Sequence, residues 1–215
     1  LVQIFFRGGK TIEISTLRSL SEHDMDGPEA VLAPNNTFGT LSEDARRRDL
    51  TINSLFYEIE NNTIIDYVDG SLDLDRGIIR IVGEPAKRIG RDPVRMLRAI
   101  RHAARINFTI EEQTWQALCD NSHKLALCPP SRLRDEFLKD LYSGAAKPWL
   151  ELAVDSGLLF SLFTFYRKIL ASTSSPSENP RELLTGICRT IVRINNLSQS
   201  LKIHRQPDFF LIGFF

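Results

Sequence analysis

The chain has 215 residues, of which 42% are hydrophobic and 25% are charged. This composition is typical of a globular protein with a substantial core, and it excludes a disordered or fibrous chain. The 27 basic residues balance the 27 acidic ones, so net charge alone indicates no class of partner. The three cysteines are not closely spaced, which predicts reduced thiols, a cytoplasmic location and no zinc site. No apolar run is long enough for a membrane span.

The first predicted element is a β-hairpin from Val2 to Phe6 and Thr11 to Ser15, with a Gly-Gly turn between its strands. Strand alternation places Glu13 on the polar face of the second strand. A carboxylate there faces either solvent or a metal ion, and the strand alone favours solvent. Residues 19–38 are rich in Gly, Pro, Asn and acidic residues, which predicts a loop.

A helix is predicted from Asp44 to Glu58, with Asp49 and Asn53 on one face because they are four residues apart. Its core side would consist of apolar residues: Leu50, Ile52, Leu55, Phe56 and Ile59. Three consecutive arginines end at Arg48, immediately before Asp49. Their mutual repulsion suggests a bound polyanion, whereas a solvated helix end explains such a run when it is considered alone.

Two short strands, Thr63 to Val68 and Ile78 to Val82, are predicted around an Asp69-Gly70 turn. Asp92-Pro93 then opens a helix, since aspartate is a good N-cap and proline suits the first turn. The helix has an apolar face and a basic face: Val94, Leu97, Ile100 and Ala104 against Arg95, Arg98, Arg101 and Arg105. The basic face is either solvated or a phosphate-binding surface.

The rest of the chain is predicted to be helical. One helix follows a capping box at Thr109 to Glu112, and another begins at Pro129-Pro130-Ser131 and ends near Tyr142. Further helices are predicted from Pro148 to Asp155 and over residues 181–201, after a linker at residues 171–180. Because strands come first and helices follow, the order favours an α+β fold.

Three blocks, at residues 38–55, 66–74 and 79–101, resemble the class II tRNA nucleotidyltransferase/bacterial poly(A) polymerase family in order and spacing. They include Arg47-Arg48-Asp49-Leu50-Thr51-Ile52-Asn53 and Asp92-Pro93-Val94-Arg95. The resemblance implies a partial nucleotidyltransferase head, a small β-sheet with helices, over residues 1–82. An all-helical neck and RNA-binding region would follow at 83–170, and an incomplete helical body at 171–215.

The resemblance also implies template-independent addition of AMP from ATP to RNA 3′ ends, with two Mg²⁺ ions assisting the reaction. Glu13 matches a metal-binding catalytic carboxylate of the family, and Asp49 matches the acidic residue of its Arg-Arg-Asp motif. The family's Asp-x-Asp metal pair does not precede these residues here. We therefore expect the chain to be a fragment that is inactive by itself.

Six residues match nucleotide-binding positions of the family: Arg48, Asn53, Asp92, Arg95, Arg98 and Arg101. Among them, Asp92 and Arg95 match the pair that reads the base, since a carboxylate accepts from an exocyclic amine while a guanidinium donates. Capping and base reading are compatible roles for Asp92. Arg105 is predicted to bind RNA, and Arg91 stands where the family has glutamate.

Two alternatives stay open. Motifs such as Phe38-Gly39-Thr40 and Pro129-Pro130-Ser131 favour the poly(A) polymerase branch, and a CCA-adding tRNA nucleotidyltransferase is the alternative enzyme. A non-catalytic RNA-binding relative would use the basic helix to bind phosphates only. That alternative predicts RNA affinity that falls steeply with salt, no saturable ATP binding and little effect of Asp92→Ala.

Overall fold

The computed structural model describes residues 2–19 and 37–163, together with Gly186, Arg189, Thr190 and Arg193. Most of the predicted loop at 19–38, the predicted linker and most of the last predicted helix lie outside these residues. The described part combines small two-stranded sheets with helices, which confirms the α+β prediction. No helix in this part is long and apolar enough to span a membrane.

The N-terminal hairpin is confirmed. Strands β1 (Val2–Phe5) and β2 (Thr11–Ile14) are antiparallel, with Gln3 opposite Glu13. The turn between them uses positive φ at Gly8 and Gly9, a conformation that glycine adopts without steric cost. All residues of both strands are exposed. Glu13 therefore faces solvent, where its Oε1 accepts a hydrogen bond from Gln3 Nε2 at 2.6 Å.

The single helix predicted from Asp44 to Glu58 is wrong. Helix α1 (Leu41–Arg47) begins with a capping box at Thr40 and is followed by a 3₁₀ turn at Thr51–Asn53. Strand β3 (Phe56–Glu58) then pairs with β4 (Thr63–Ile65) in an antiparallel ladder.

The helix stops because Leu50 enters the core in an extended conformation. Leu50 has no exposed surface and forms an isolated β-bridge with Ile81. Tertiary pairing thus overrides the helical spacing of the apolar residues. Asp49 and Asn53 do not share a helical face, and Ile59, predicted to be in the core, is 79% exposed.

The predicted Asp69-Gly70 turn opens helix α2 (Gly70–Arg76), which the sequence did not predict. The Asp66 carboxylate accepts hydrogen bonds from the amides of Val68, Gly70 and Ser71. These bonds satisfy donors at the helix start. Burial would raise the pKa of Asp66, but the hydrogen bonds outweigh it and lower the pKa to about 2.

Strand β5 (Ile78–Ile79) pairs in parallel with β6 (Thr109–Ile110). Because Thr109 lies in a strand, the predicted capping box is wrong, although the helix after it exists. This helix, α5 (Glu112–Asn121), is capped by the Glu111 carboxylate, which accepts from the Thr114 amide at 2.8 Å. The β5–β6 pair crosses the predicted boundary at residue 82, and the division into domains stays a prediction.

The helical part contains α3 (Pro85–Arg91), α4 (Val94–Ile106), α6 (Pro130–Leu141), α7 (Ala146–Asp155) and α8 (Leu158–Leu162). Helix α6 begins as predicted, and α7 begins two residues before Pro148. Helix α4 lies at the centre, packed against α6 and α7. Its predicted apolar face is buried in the core. The N-cap of α4 is Pro93, so the prediction that Asp92 caps it is wrong.

Candidate functional site

The segment after α1 is held by contacts of Arg48. Its side chain donates to Asp44 Oδ2 at 3.1 Å and to the backbone oxygen of Asn53 at 2.8 Å. The guanidinium also stacks over Phe56, 4.9 Å from the ring centroid. Arg48 therefore fixes the turn that carries Asp49 and Asn53, so Arg48 and Asn53, the two predicted nucleotide-binding residues of this segment, belong to one local unit.

The Asp49 carboxylate is largely buried between this turn and helix α4. Its Oδ1 accepts from the Leu50 amide at 2.9 Å, and its Oδ2 accepts from Arg98 Nη1 at 3.0 Å. Burial acts to raise the pKa of Asp49, but the Arg98 hydrogen bond and the charges of Arg98 and Arg95 hold it below its usual range. Asp49 is thus ionised at neutral pH and is held in place by its hydrogen bond from Arg98 on α4.

The backbone carbonyl oxygen of Arg48 accepts hydrogen bonds from two other arginines. The donors are Arg88 Nη2 at 2.7 Å and Arg95 Nη1 at 3.2 Å. Arg88 also donates to the Arg47 carbonyl oxygen. The predicted base-reading residue Arg95 therefore lies against the Arg-Arg-Asp segment, which brings two of the three family-like blocks together in space.

Asp92 lies at the junction between α3 and α4. One carboxylate oxygen, Oδ2, accepts from Arg132 Nη2 on α6 at 2.9 Å. The other, Oδ1, is buried and has no hydrogen-bond partner among the described residues. A buried acceptor without a donor is costly, so this oxygen is suited to a donor from a ligand.

Arg98 and Arg101 point into a buried cluster on α6 instead of a solvated face. Arg98 Nη2 lies 3.4 Å from Glu136, and Arg101 pairs with Glu136 at 2.6 Å and with Asp140 at 3.1 Å. Arg101 is only 7% exposed, so the four arginines of α4 do not form one solvated face, which was one of the two alternatives for them. The physical reason is that α6 covers this side of α4 and supplies its counter-charges. Whether Arg101 contacts a nucleotide stays a prediction.

The pKa values of the two carboxyls in this cluster shift in opposite directions. Burial would raise the pKa of Glu136, but hydrogen bonds from Lys139 and Arg101 and the charges of Arg101 and Arg98 lower it to about 2. Burial raises the pKa of Asp140 well above its usual value, against the effect of Arg101. Glu136 is thus the main counter-ion for α4.

Arg105 is exposed in the last turn of α4, as a contact with RNA requires. Glu13 lies on the hairpin, and no hydrogen bond or ion pair joins it to Asp49. Within the described ranges, no group of three or more His, Cys, Asp or Glu residues could hold a metal ion. The described residues therefore do not by themselves form the Mg²⁺ site that the resemblance implies.

Arg132 and Glu136 were not predicted as site residues, although the helix that carries them was predicted. Their signal was the spacing on α6: Arg132, Glu136 and Asp140 recur every four residues and so lie along one face. Next to the buried Phe137 and Leu141, charges at this spacing indicate partners on a neighbouring helix. The partner helix, α4, carries arginines three or four residues apart.

Two family models match the chain. One, described as Poly A polymerase head domain, covers residues 1–80. The other, described as Probable RNA and SrmB- binding site of polymerase A, covers residues 107–170. The chain belongs to the class II tRNA nucleotidyltransferase/poly(A) polymerase family.

Within this family, the chain is 37% identical over 204 residues to Poly(A) polymerase I of Escherichia coli O6:H1. The alignment covers 91% of this chain and 43% of that protein. The chain is also 38% identical over 151 residues to the CCA-adding enzyme of Lactobacillus johnsonii. That alignment covers 70% of this chain and 37% of that protein. The chain therefore spans less than half the length of these two curated relatives.

A solved structure of a tRNA nucleotidyltransferase complexed with a primer tRNA and an incoming ATP analog is also similar. Its TM-score is 0.64 at 26% identity, over 84% of this chain and 50% of that one. The similarity in fold thus extends through both the sheet-containing and the helical parts of the chain.

Proposed function

We propose that this chain is part of a template-independent nucleotidyltransferase that adds AMP from ATP to RNA 3′ ends. The observation that carries the proposal is the Asp92 carboxylate, whose Oδ1 is buried without a partner in the described part of the chain. The oxygen lies in a segment that matches the family's base-reading block. An exocyclic amine of adenine would supply the missing donor.

The surrounding charges support nucleotide binding at this site. Arg95 and Arg98 are half-buried on the same helix as the exposed Arg105. Arg95 and Arg98 also meet the Arg48–Asp49 segment. We infer that Arg95 reads the base with Asp92, and that Arg48, Asn53 and Arg98 hold or orient the nucleotide.

The proposal assigns RNA to the helical region. That region matches a family model for an RNA-binding site, and a similar solved structure contains a primer tRNA. The described residues include no group of three or more His, Cys, Asp or Glu residues that could hold a metal ion, and we assign no catalytic step to a metal. Glu13 and Asp49 keep their proposed role as catalytic carboxylates on the resemblance alone.

CCA addition is the second candidate. It is favoured by the similarity to a CCA-adding enzyme, whose identity to the chain is as high as that of the poly(A) polymerase. The longer match to the poly(A) polymerase, 91% of the chain against 70%, favours AMP addition.

The test uses the protein expressed from its full open reading frame, with Mg²⁺, labelled ATP or CTP, a generic RNA and a tRNA lacking its 3′ end. We expect AMP tails on both RNAs. Addition of CMP and then AMP to the tRNA alone would establish CCA addition instead. No incorporation of either nucleotide would overturn both candidates and favour the RNA-binding relative.

The same assay with Asp92→Ala tests the site. We expect a loss of at least tenfold in kcat/KM for ATP, since a charged hydrogen bond is worth roughly 1.5–3 kcal/mol. Asp75→Ala is the control, because Asp75 is an exposed aspartate on α2. A variant at Asp92 that behaves like the control would contradict the assignment.

A further inference from the structure

We infer that Arg132 is a positioning residue for base selection, because it holds one oxygen of the Asp92 carboxylate and leaves the other for the base. The inference rests on the proposed function. It adds a role for the helical region in choosing the nucleotide, and its argument depends on the geometry at the junction of α3, α4 and α6.

The first step is the geometry of Asp92. Its backbone amide donates to the Arg88 carbonyl oxygen at 3.2 Å, and its own carbonyl oxygen accepts from the Arg95 amide at 3.0 Å. The main chain of Asp92 is thus fixed between the end of α3 and the start of α4. What remains free is rotation of the carboxylate about its side-chain bonds.

Arg132 removes that freedom. Its Nη2 donates to Asp92 Oδ2 at 2.9 Å, and the pair is partly buried, with 39% and 23% of the two side chains exposed. Arg132 is itself placed by the first turn of α6, where its amide donates to the Pro129 carbonyl oxygen at 3.0 Å. The carboxylate orientation is therefore set by α6, the helix that starts at Pro130.

One oxygen of the Asp92 carboxylate is left to accept a hydrogen bond from a base. With Oδ2 bound to Arg132, the only free acceptor is Oδ1, which has no partner among the described residues. An acceptor at this point favours a base that turns an exocyclic amine towards it, as adenine does with N6 and cytosine with N4, and it opposes uracil O4 or guanine O6 in the same place. Because Oδ1 is shielded from solvent, side chains around it must move when a base enters.

If the Arg132 guanidinium is removed, both oxygens of the Asp92 carboxylate become available and their direction is no longer fixed. The site then loses part of its preference for an amine at one position, while its attraction for the triphosphate is retained. We expect discrimination to fall more than overall affinity. A purely structural role would instead weaken the binding of all nucleotides alike.

The experiment measures equilibrium binding of ATP and of UTP by calorimetry to the protein expressed from its full open reading frame. The variant is Arg132→Gln, and the matched control is Arg134→Gln. Arg134 lies on the same helix, is 69% exposed and pairs only with the adjacent Asp135 in the described part of the chain. We expect the ratio of UTP to ATP dissociation constants to fall about tenfold in R132Q, the equivalent of one charged hydrogen bond, and to stay within twofold in R134Q.

A ratio in R132Q within twofold of the wild-type ratio would overturn the role of Arg132 alone. A wild-type protein that binds neither nucleotide would overturn the proposed function as well, so the two failures are distinguishable. If R132Q does not fold, R132K carries the test. Lysine keeps the charge but lacks the planar pair of donors, so a fall of about threefold is expected.

A double variant checks that the effect passes through Asp92. In an Asp92→Ala background, Arg132→Gln has no side-chain oxygen left to position, so its effect on the ratio should disappear. An undiminished effect of R132Q in that background would contradict the inference.

Discussion

Arg101 on α4 donates to the Glu136 carboxylate on α6 at 2.6 Å, with 9% of one side chain and 4% of the other exposed. Glu136 also contacts Arg98, which in turn contacts Asp49, so the pair connects the helical core to the candidate site. Removing the Glu136 charge leaves the buried Arg101 with Asp140, whose own charge is opposed by burial, so the cost should approach the roughly 3–5 kcal/mol of a broken buried pair. The contact is therefore a structural requirement for the orientation of α4.

The first prediction contrasts two carboxylates that contact the same arginine. Glu136→Gln should lower the free energy of unfolding by about 3 kcal/mol at pH 7. Asp140→Asn should change it by less than about 1 kcal/mol, because the Asp140 charge is opposed by its own burial. Urea unfolding followed by circular dichroism measures both. Asp135→Asn, at an exposed pair, is the control, and equal losses in E136Q and D140N would contradict the prediction.

The second prediction concerns pH. The pKa of Glu136 in the folded protein is lowered to about 2 from its ordinary value of 4.5, so ionised Glu136 stabilises the fold above about pH 5. That stabilisation is lost as the pH falls from 4.5 towards 2. The stability difference between the wild type and E136Q should therefore shrink over this range. Urea midpoints at pH 7, 5, 4 and 3 measure it, and a constant difference would refute the assignment.

The third prediction concerns two helical glycines. A methyl group at Gly70 would overlap the backbone carbonyl oxygen of Thr51, so Gly70→Ala should lower stability by about 2 kcal/mol. At Gly90 the methyl group would meet, among the described residues, only Lys124 Nζ at 3.6 Å, an ordinary contact. Gly90→Ala should leave stability unchanged or raise it by up to about 1 kcal/mol. Thermal melts of the two variants distinguish these outcomes, and similar melts would count against the packing of α2 on the 3₁₀ turn.

The fourth prediction concerns RNA. If Arg105 neutralises one phosphate, Arg105→Gln should reduce the slope of log K against log salt concentration by about 0.7 for single-stranded RNA. Arg7→Gln, at the exposed turn of the hairpin, makes the same charge change and should leave the slope unaltered. Fluorescence anisotropy at several salt concentrations provides the measurement. An unchanged slope for R105Q would remove Arg105 from the RNA interface.

Local signals predicted much of the fold. The Gly8-Gly9 turn, the start of α6 at Pro130 and the apolar face of α4 depend on neighbouring residues, and all three are confirmed. The helix predicted for the segment after Arg47 was wrong because the conformation of this segment depends on a distant partner, Ile81, which pairs with Leu50 in an extended bridge. Spacing along the chain contains no information about such a partner.

In the candidate site too, local sequence predicted some residues and distant contacts determine their positions. The family-like blocks predicted Asp92 and Arg95 as site residues, but the contacts that position them come from α6 and from backbone carbonyl oxygens. The burial of Arg101 could not be predicted from α4 alone, since an arginine is buried only where another element supplies its counter-charges. That element lies more than thirty residues further along the chain.

The parallel pair β5–β6 has a consequence for how the chain folds. Ile78 and Ile79 pair with Thr109 and Ile110, so the chain between them, which includes α3 and α4, must turn back for this ladder to close. Parallel strands need such a crossover, and closing it costs chain entropy before the pairing repays it. The hydrogen bonds of this strand in the sheet-containing part therefore depend on a segment that follows the central helix. A polypeptide cut after residue 82 should leave that strand without its ladder, so the two parts should acquire their final structure together.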